Sequence, residues 1–119
     1  MKYENYLYVM NDNGVMTYKL ARGYRLEEDS RLAYAKTIDP SQYSYMIIDV
    51  ASGLFVIKAT SKKKLFQLWN EKTSNPEFIN AIIKARKTDS YLKRIEEINP
   101  EKKLWRESGY SIEGRGFEL

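Results

Sequence analysis

The tetrapeptide Asn11-Asp12-Asn13-Gly14 limits the possible folds more than any other short stretch of the chain. Tyr6–Met10 precedes it and Val15–Leu20 follows, both rich in residues that suit strands. Asn-Gly at the centre of a two-residue turn is the strongest short hairpin signal, because a type I′ turn needs positive φ at both positions. With Asn13-Gly14 as the turn, Leu7, Val9, Met16, Tyr18 and Leu20 share one face. Tyr6, Tyr8, Met10 and Val15 share the other. Both faces carry apolar mass, so this hairpin is expected to be covered on both sides.

A second hairpin follows. Tyr45–Val50 and Leu54–Lys58 flank Ala51-Ser52-Gly53, a three-residue loop ending in Gly that suits a type I turn closed by a left-handed residue and a bulge. The intervening Gly23–Ser44 reads two ways. Leu26–Ala35 suits a short helix with Glu27-Glu28-Asp29 in its first turn; alternatively, Arg31–Thr37 forms a third strand. Asp39-Pro40-Ser41 is a break.

The second half reads as helical. Thr60 or Ser61 can cap a helix with Leu65, Phe66, Leu68 and Trp69 at spacings of three and four. Ser74-Asn75-Pro76-Glu77 is a strong helix start, with Phe78, Ile79, Ile82 and Ile83 as a buried stripe. Thr88 or Asp89 caps another helix with Tyr91, Leu92, Ile95 and Ile98 inward. Pro100-Glu101 opens a last short helix carrying Leu104 and Trp105 and ending near Gly109. The expected fold class is α+β: two antiparallel hairpins forming a small sheet, packed by three to four C-terminal helices. One domain spans residues 1–119, with a β-rich part (1–59), a helical part (60–109) and a tail (110–119). The aromatic residues Trp105, Tyr110 and Phe117 could dock the tail on a partner or on the chain's own sheet, and docking on its own sheet is expected.

Composition excludes several chemistries. The 119 residues contain no His and no Cys. The usual ligands for zinc, copper and haem are therefore missing, and so are Cys–His and Ser–His nucleophile pairs. Neither a metal site nor any other cofactor is expected. Disulfides are impossible, which fits a cytoplasmic location. Charged residues near Met1 and the lack of an apolar run there lead us to expect no signal peptide, and no run approaches the roughly 18 apolar residues of a membrane span. The six glycines form no phosphate loop. Glu101-Lys102-Lys103 has the E-x-K form found in some nucleases, but it follows a Pro on an expected helix rather than lying on a strand. The chain is expected not to be an enzyme.

Charge is distributed unevenly. Residues 1–57 carry 6 basic and 7 acidic side chains, whereas residues 58–119 carry 14 and 9. Lys58, Lys62, Lys63, Lys64, Lys84, Arg86 and Lys87 lie in the most basic stretch, where clustered cations favour phosphate through counterion release. Three of these lysines open a helix, where cations oppose the macrodipole. Tyr45 through Glu71, under a quarter of the chain, reads strand, Gly turn, strand, then Thr60-Ser61-Lys62-Lys63-Lys64-Leu65-Phe66-Gln67-Leu68-Trp69. This resembles the strand–strand–helix end of the AP2-like arm-binding domains of phage integrases, in which a Thr-Lys-Lys segment starts a helix packed on a three-stranded sheet. The resemblance implies a sheet that reads DNA.

Tyrosine supplies the second candidate surface. Eight of the ten lie in the first half: Tyr3, Tyr6, Tyr8, Tyr18, Tyr24, Tyr34, Tyr43 and Tyr45. Exposed tyrosines suit protein interfaces and base stacking. The expectation is a small binding protein that engages nucleic acid or a nucleoprotein complex through the basic helical surface. Abundant Lys, Asn, Ile and Tyr suggest a low-GC bacterial, phage or plasmid origin. The alternative is a protein-binding inhibitor or adaptor, for example an anti-defence protein, that meets a host or phage protein through Tyr6, Tyr8 and Tyr18.

Overall fold

A computed structural model describes residues 2–38 and 43–116. It shows a five-stranded antiparallel sheet in the order β1 (Glu4–Asp12), β2 (Val15–Arg25), β3 (Leu32–Thr37), β4 (Tyr45–Asp49), β5 (Phe55–Ala59). Three helices follow: α1 (Lys62–Thr73), α2 (Pro76–Ala85) and α3 (Asp89–Glu107). The α+β class holds. The two expected hairpins are present, but β3 joins them into one continuous meander. The resemblance noted above implied three strands where five are found.

Asn13 and Gly14 form the first turn with φ of 52° and 85°, and Asp12 pairs with Val15 across it. Leu7, Val9, Met16, Tyr18 and Leu20 come together on one face, where Ile98 of α3 and Ile112 cover them. Tyr6 and Tyr8 point to the other face, beside Ala21, Ala33, Ala35, Met46 and Ile48. The sheet curls around this second face. Tyr8 of β1 meets Phe55 of β5, with ring centres 5.8 Å apart, and the Val9 N–H donates to the Gly53 carbonyl at 2.9 Å. Alanines dominate the strand centres because a concave surface leaves little room beneath two tyrosines. Gly53 has φ +74°, and a Cβ there would lie 2.9 Å from the Leu7 oxygen. A left-handed turn and a close approach to β1 both require glycine.

The helical alternative for Leu26–Ala35 is not seen. Leu26 N–H and Leu32 O close a turn, and β3 follows. Alanine-rich sequence favours a helix locally, but pairing on both edges and burial on both faces select a central strand. The acidic run Glu27-Glu28-Asp29 lies in this turn, not in a helix.

Ser61, Asn75 and Thr88 cap the three helices by accepting hydrogen bonds from the N–H groups of Lys64, Glu77 and Tyr91. α1 buries Leu65 and Trp69 against Leu26, Leu32, Tyr34, Ile47 and Ile57. Three helix expectations fail, the last being an inward Leu92. No separate helix starts at Pro100, because α3 runs through it. Pro100 and Glu96 both lie on the exposed side, so the carbonyl that loses its helical partner faces water. The α2 stripe is also not buried: Phe78 and Ile82 are half-buried, while Ile79 and Ile83 are 36% and 43% exposed. α1 and α3 already occupy the outer sheet face, so α2 packs mainly against α1, through Phe78 on Trp69. In α3, Ile98 is buried as expected, Tyr91 and Ile95 are half-buried, and Leu92 is exposed.

The segment after α3 docks on the fold. Ile112 is buried, and Glu113 N–H donates to Asn5 O at 2.8 Å. Lys102 Nζ lies 2.9 Å from Glu113 Oε2 and donates to the Val50 and Ala51 carbonyls. Arg106 donates to the Ile112 carbonyl and approaches the same carboxylate at 3.6 Å. Tyr110 rests on Trp105 with ring centres 4.9 Å apart. Phe117 and the Asp39-Pro40-Ser41 break lie outside the described residues.

Candidate functional site

β2 and β3 pair so that Arg22 lies opposite Lys36, and β3 and β4 pair so that Lys36 lies opposite Tyr45. Three neighbouring strands thus place two cations and one ring in a row across the sheet. Two residues along, Tyr24 lies opposite Tyr34. The strand period of two puts this second row on the same face. α1 begins above that face: Lys62 Nζ sits 4.8 Å from the Tyr34 ring centre and 5.3 Å from that of Tyr24. Lys36 Nζ lies 5.4 Å from the Tyr45 ring, and Tyr3 meets Tyr24 edge to face at 5.7 Å. Among these groups is a depression of 310 Å³, lined by Tyr3, Arg22, Tyr34, Lys36, Thr37, Ile38 and Lys62. None of its lining residues is acidic.

The electrostatics of this face are unfavourable within the chain. Like charges directly opposite each other weaken a strand pair, and Arg22 and Lys36 are such a pair. Arg22 donates to the neutral Asn5 Oδ1 at 3.4 Å. Among the described residues, Arg22, Lys36 and Lys62 form no ion pair. The first turn of α1 holds Lys62, Lys63 and Lys64 with no acid to offset the positive end of the helix. An anion placed here relieves both strains. Burial raises the Tyr34 phenol above its usual value, with neighbouring Tyr24, Tyr45 and Tyr3 adding to it; its hydroxyl stays a neutral donor.

The residues expected from sequence divide among several places. Lys62, Lys63 and Lys64 are exposed at the start of α1. Lys58 pairs opposite Met46, so it leaves β5 on the other face from Tyr45, with its ammonium 5.3 Å from Tyr43 and 5.1 Å from Phe55. Lys84 and Lys87 are exposed near the end of α2, and Lys87 shares a depression with Asn70 and Thr73 in the second half of α1. Arg86 is turned inward. It binds Asp29 at 2.8 Å and approaches Asp49 at 3.7 Å, and its buried Nε has no hydrogen-bond partner among the described residues. An arginine neutralised by two carboxylates is a poor phosphate contact. Tyr6 and Tyr8 are 1% and 3% exposed, so they offer no surface, and Tyr18 is half-covered beside α3. Burial first, then the neighbouring Glu97 and Glu101, raise the Tyr18 phenol.

Arg22 and Lys36 were not found by sequence reasoning. Their signal is the alternation in Arg22-Gly23-Tyr24 and Tyr34-Ala35-Lys36, which puts a cation and a ring on the same side of each strand. It becomes visible only once β3 is known to be a strand and its register is set.

A second polar cluster is buried. Asp49 accepts from Ser52 N–H at 3.1 Å, Ser52 Oγ at 2.7 Å and Tyr91 Oη at 2.8 Å. Burial, then the hydrogen bond to Asp49, push the Tyr91 phenol up to about 12. These bonds tie the β4–β5 turn to the start of α3. The described residues hold no group of three acidic side chains placed to take a metal ion. In the E-x-K triplet, Lys103 lies 4.0 Å from Glu107 on the exposed side of α3. Among the described residues, no helix is long and apolar enough to cross a membrane. No protein-family model, curated protein or solved structure matches the chain.

Proposed function

We propose that this chain is a small, non-enzymatic binding protein, encoded by a phage or plasmid, that holds the phosphates of a nucleic acid or nucleoprotein complex on the basic sheet face. Its contacts are Arg22, Lys36 and Lys62, extended by Lys63 and Lys64. The carrying observation is the opposed pair Arg22–Lys36 beneath the lysine-only first turn of α1. Both are electrostatic costs that phosphate removes. Rings under Lys36 and Lys62 hold the ammonium groups in place while leaving their N–H donors open. Lys58 belongs to a flanking position; Lys84 and Lys87 do not belong to this face.

A salt titration tests the reading. Binding to a short oligonucleotide should fall steeply between about 50 and 200 mM salt, as several phosphate contacts require. Lys36→Glu with Lys62→Glu should weaken it at least about tenfold, while Lys84→Glu with Lys87→Glu should change it little. Equal effects from the two pairs would move the site elsewhere.

α2 favours a second reading, the protein-binding adaptor. Its Ile79 and Ile83 are uncovered, with Lys84 and Lys87 nearby. That chemistry suits an apolar partner helix bordered by carboxylates. This interface replaces the one expected on Tyr6 and Tyr8.

A further inference from the structure

We infer that the basic face takes single-stranded rather than duplex nucleic acid, with one unpaired base seated in the depression beside Tyr3; this rests on the nucleic-acid reading above. The surface there has two chemistries side by side. Tyr3 and Ile38 are 53% and 59% exposed, large apolar groups left open on a folded chain. Arg22, Lys36 and Lys62 line the same 310 Å³ depression. An unpaired nucleotide has the matching pair of features, a flat apolar base and an anionic phosphate. A duplex does not, because its bases are stacked inside and it offers only groove edges and backbone. Sequence-tolerant single-strand sites combine a basic track with rings on which bases stack.

A separate ring–cation pair lies near the β3–β4 connection. Thr37 N–H donates to Ser44 O at 2.8 Å, which brings Tyr43 next to Ile38 at the base of the β3–β4 connection. Tyr43 is 46% exposed and has Lys58 Nζ 5.3 Å from its ring. This second ring–cation pair lies outside the depression, on the face of β5 that carries Phe55.

The test compares a fluorescent oligothymidylate with a mixed-sequence duplex of equal length, both at about 50 mM salt, where phosphate contacts are strong. The expected result is single-strand binding about tenfold tighter or more. Tyr3→Ala should cost the single strand roughly tenfold, the scale of one lost stack, and leave the duplex and the salt dependence unchanged. Tyr3→Phe should restore it. Tyr3 is exposed, so neither variant threatens the fold, and circular dichroism verifies this. Equal or tighter duplex binding, or indifference to Tyr3→Ala, overturns the single-strand inference and leaves the phosphate reading intact. No binding of either probe overturns both.

Discussion

The carboxylate of Asp29 and the phenol of Tyr91 sit at opposite ends of one buried polar chain through Arg86 and Asp49, and they respond to pH in opposite directions. Burial alone would raise the Asp29 carboxyl. The hydrogen bonds from Arg86 and the Arg31 N–H, with the charges of both arginines, outweigh it and hold the carboxyl below its usual value. Its contribution to stability is therefore complete above the unfolded value near ~4 and is lost as pH falls through the lower folded value. Tyr91 shifts the other way, from 10.0 to about 12. Its contribution is complete below the unfolded value and is lost as pH rises from about 10 towards 12. Urea midpoints measured across pH check both signs. Asp29→Asn should flatten the acid limb and Tyr91→Phe should reduce the alkaline loss. Unchanged limbs would show that neither group is held as described. The buried Tyr6, which donates to Glu4 Oε2 at 2.9 Å, is raised as well and adds to the alkaline limb.

The helices show that local amphipathic pattern and actual burial are separate matters. α2 has the cleanest apolar stripe in the sequence, yet none of its residues is fully buried. α1 is two-thirds lysine and polar, yet its Leu65 and Trp69 are core. The difference is position: α1 follows β5 directly and falls on the sheet, whereas α2 finds that face already taken. Substitution separates the two. Leu65→Ala should cost about 2–5 kcal/mol, as a fully buried leucine does. Ile79→Ser and Ile83→Ser should each stay within about 1 kcal/mol, close to the ordinary surface range. Chemical denaturation reads both; a large loss from the α2 pair would mean the stripe is covered in the free protein. The strands teach the complementary lesson. Asn13-Gly14 and Gly53 marked their hairpins because each turn demands backbone geometry that few residues adopt. Helix starts were equally legible, since Ser61, Asn75 and Thr88 satisfy N–H groups that any helix leaves open. Leu32–Thr37 carried no such mark. Its alanines suit helix or strand, and only pairing between β2 and β4 settles the matter.

The whole chain is closed by a clamp that joins its two ends. Glu113 receives Lys102 and Arg106 from α3 and lies 3.8 Å from Arg25, which in turn pairs with Glu4 of β1 at 3.1 Å. Both α3 cations are nearly buried. Removing the carboxylate takes the 2.9 Å ion pair from the buried Lys102 ammonium, so Glu113→Gln should lower stability by roughly 3 kcal/mol. Equilibrium unfolding measures it, with the exposed Glu107→Gln as reference; equal small losses would reduce the clamp to a surface ion pair. Reading the residues in order was enough for the α+β class, the two tight hairpins, the three helix starts, and the absence of His and Cys chemistry. These follow from local geometry and from which side chains exist at all. It was not enough to predict which tyrosines are buried, which arginine turns inward, or which cations share a face. Tyr6 and Tyr8 became core because the sheet curls around them, and Arg86 became structural because Asp29 and Asp49 meet it from distant segments. The Arg22–Lys36 row exists only through the register of β2 against β3. Each is a contact between residues far apart in sequence, and its energy appears only when the chain closes on itself.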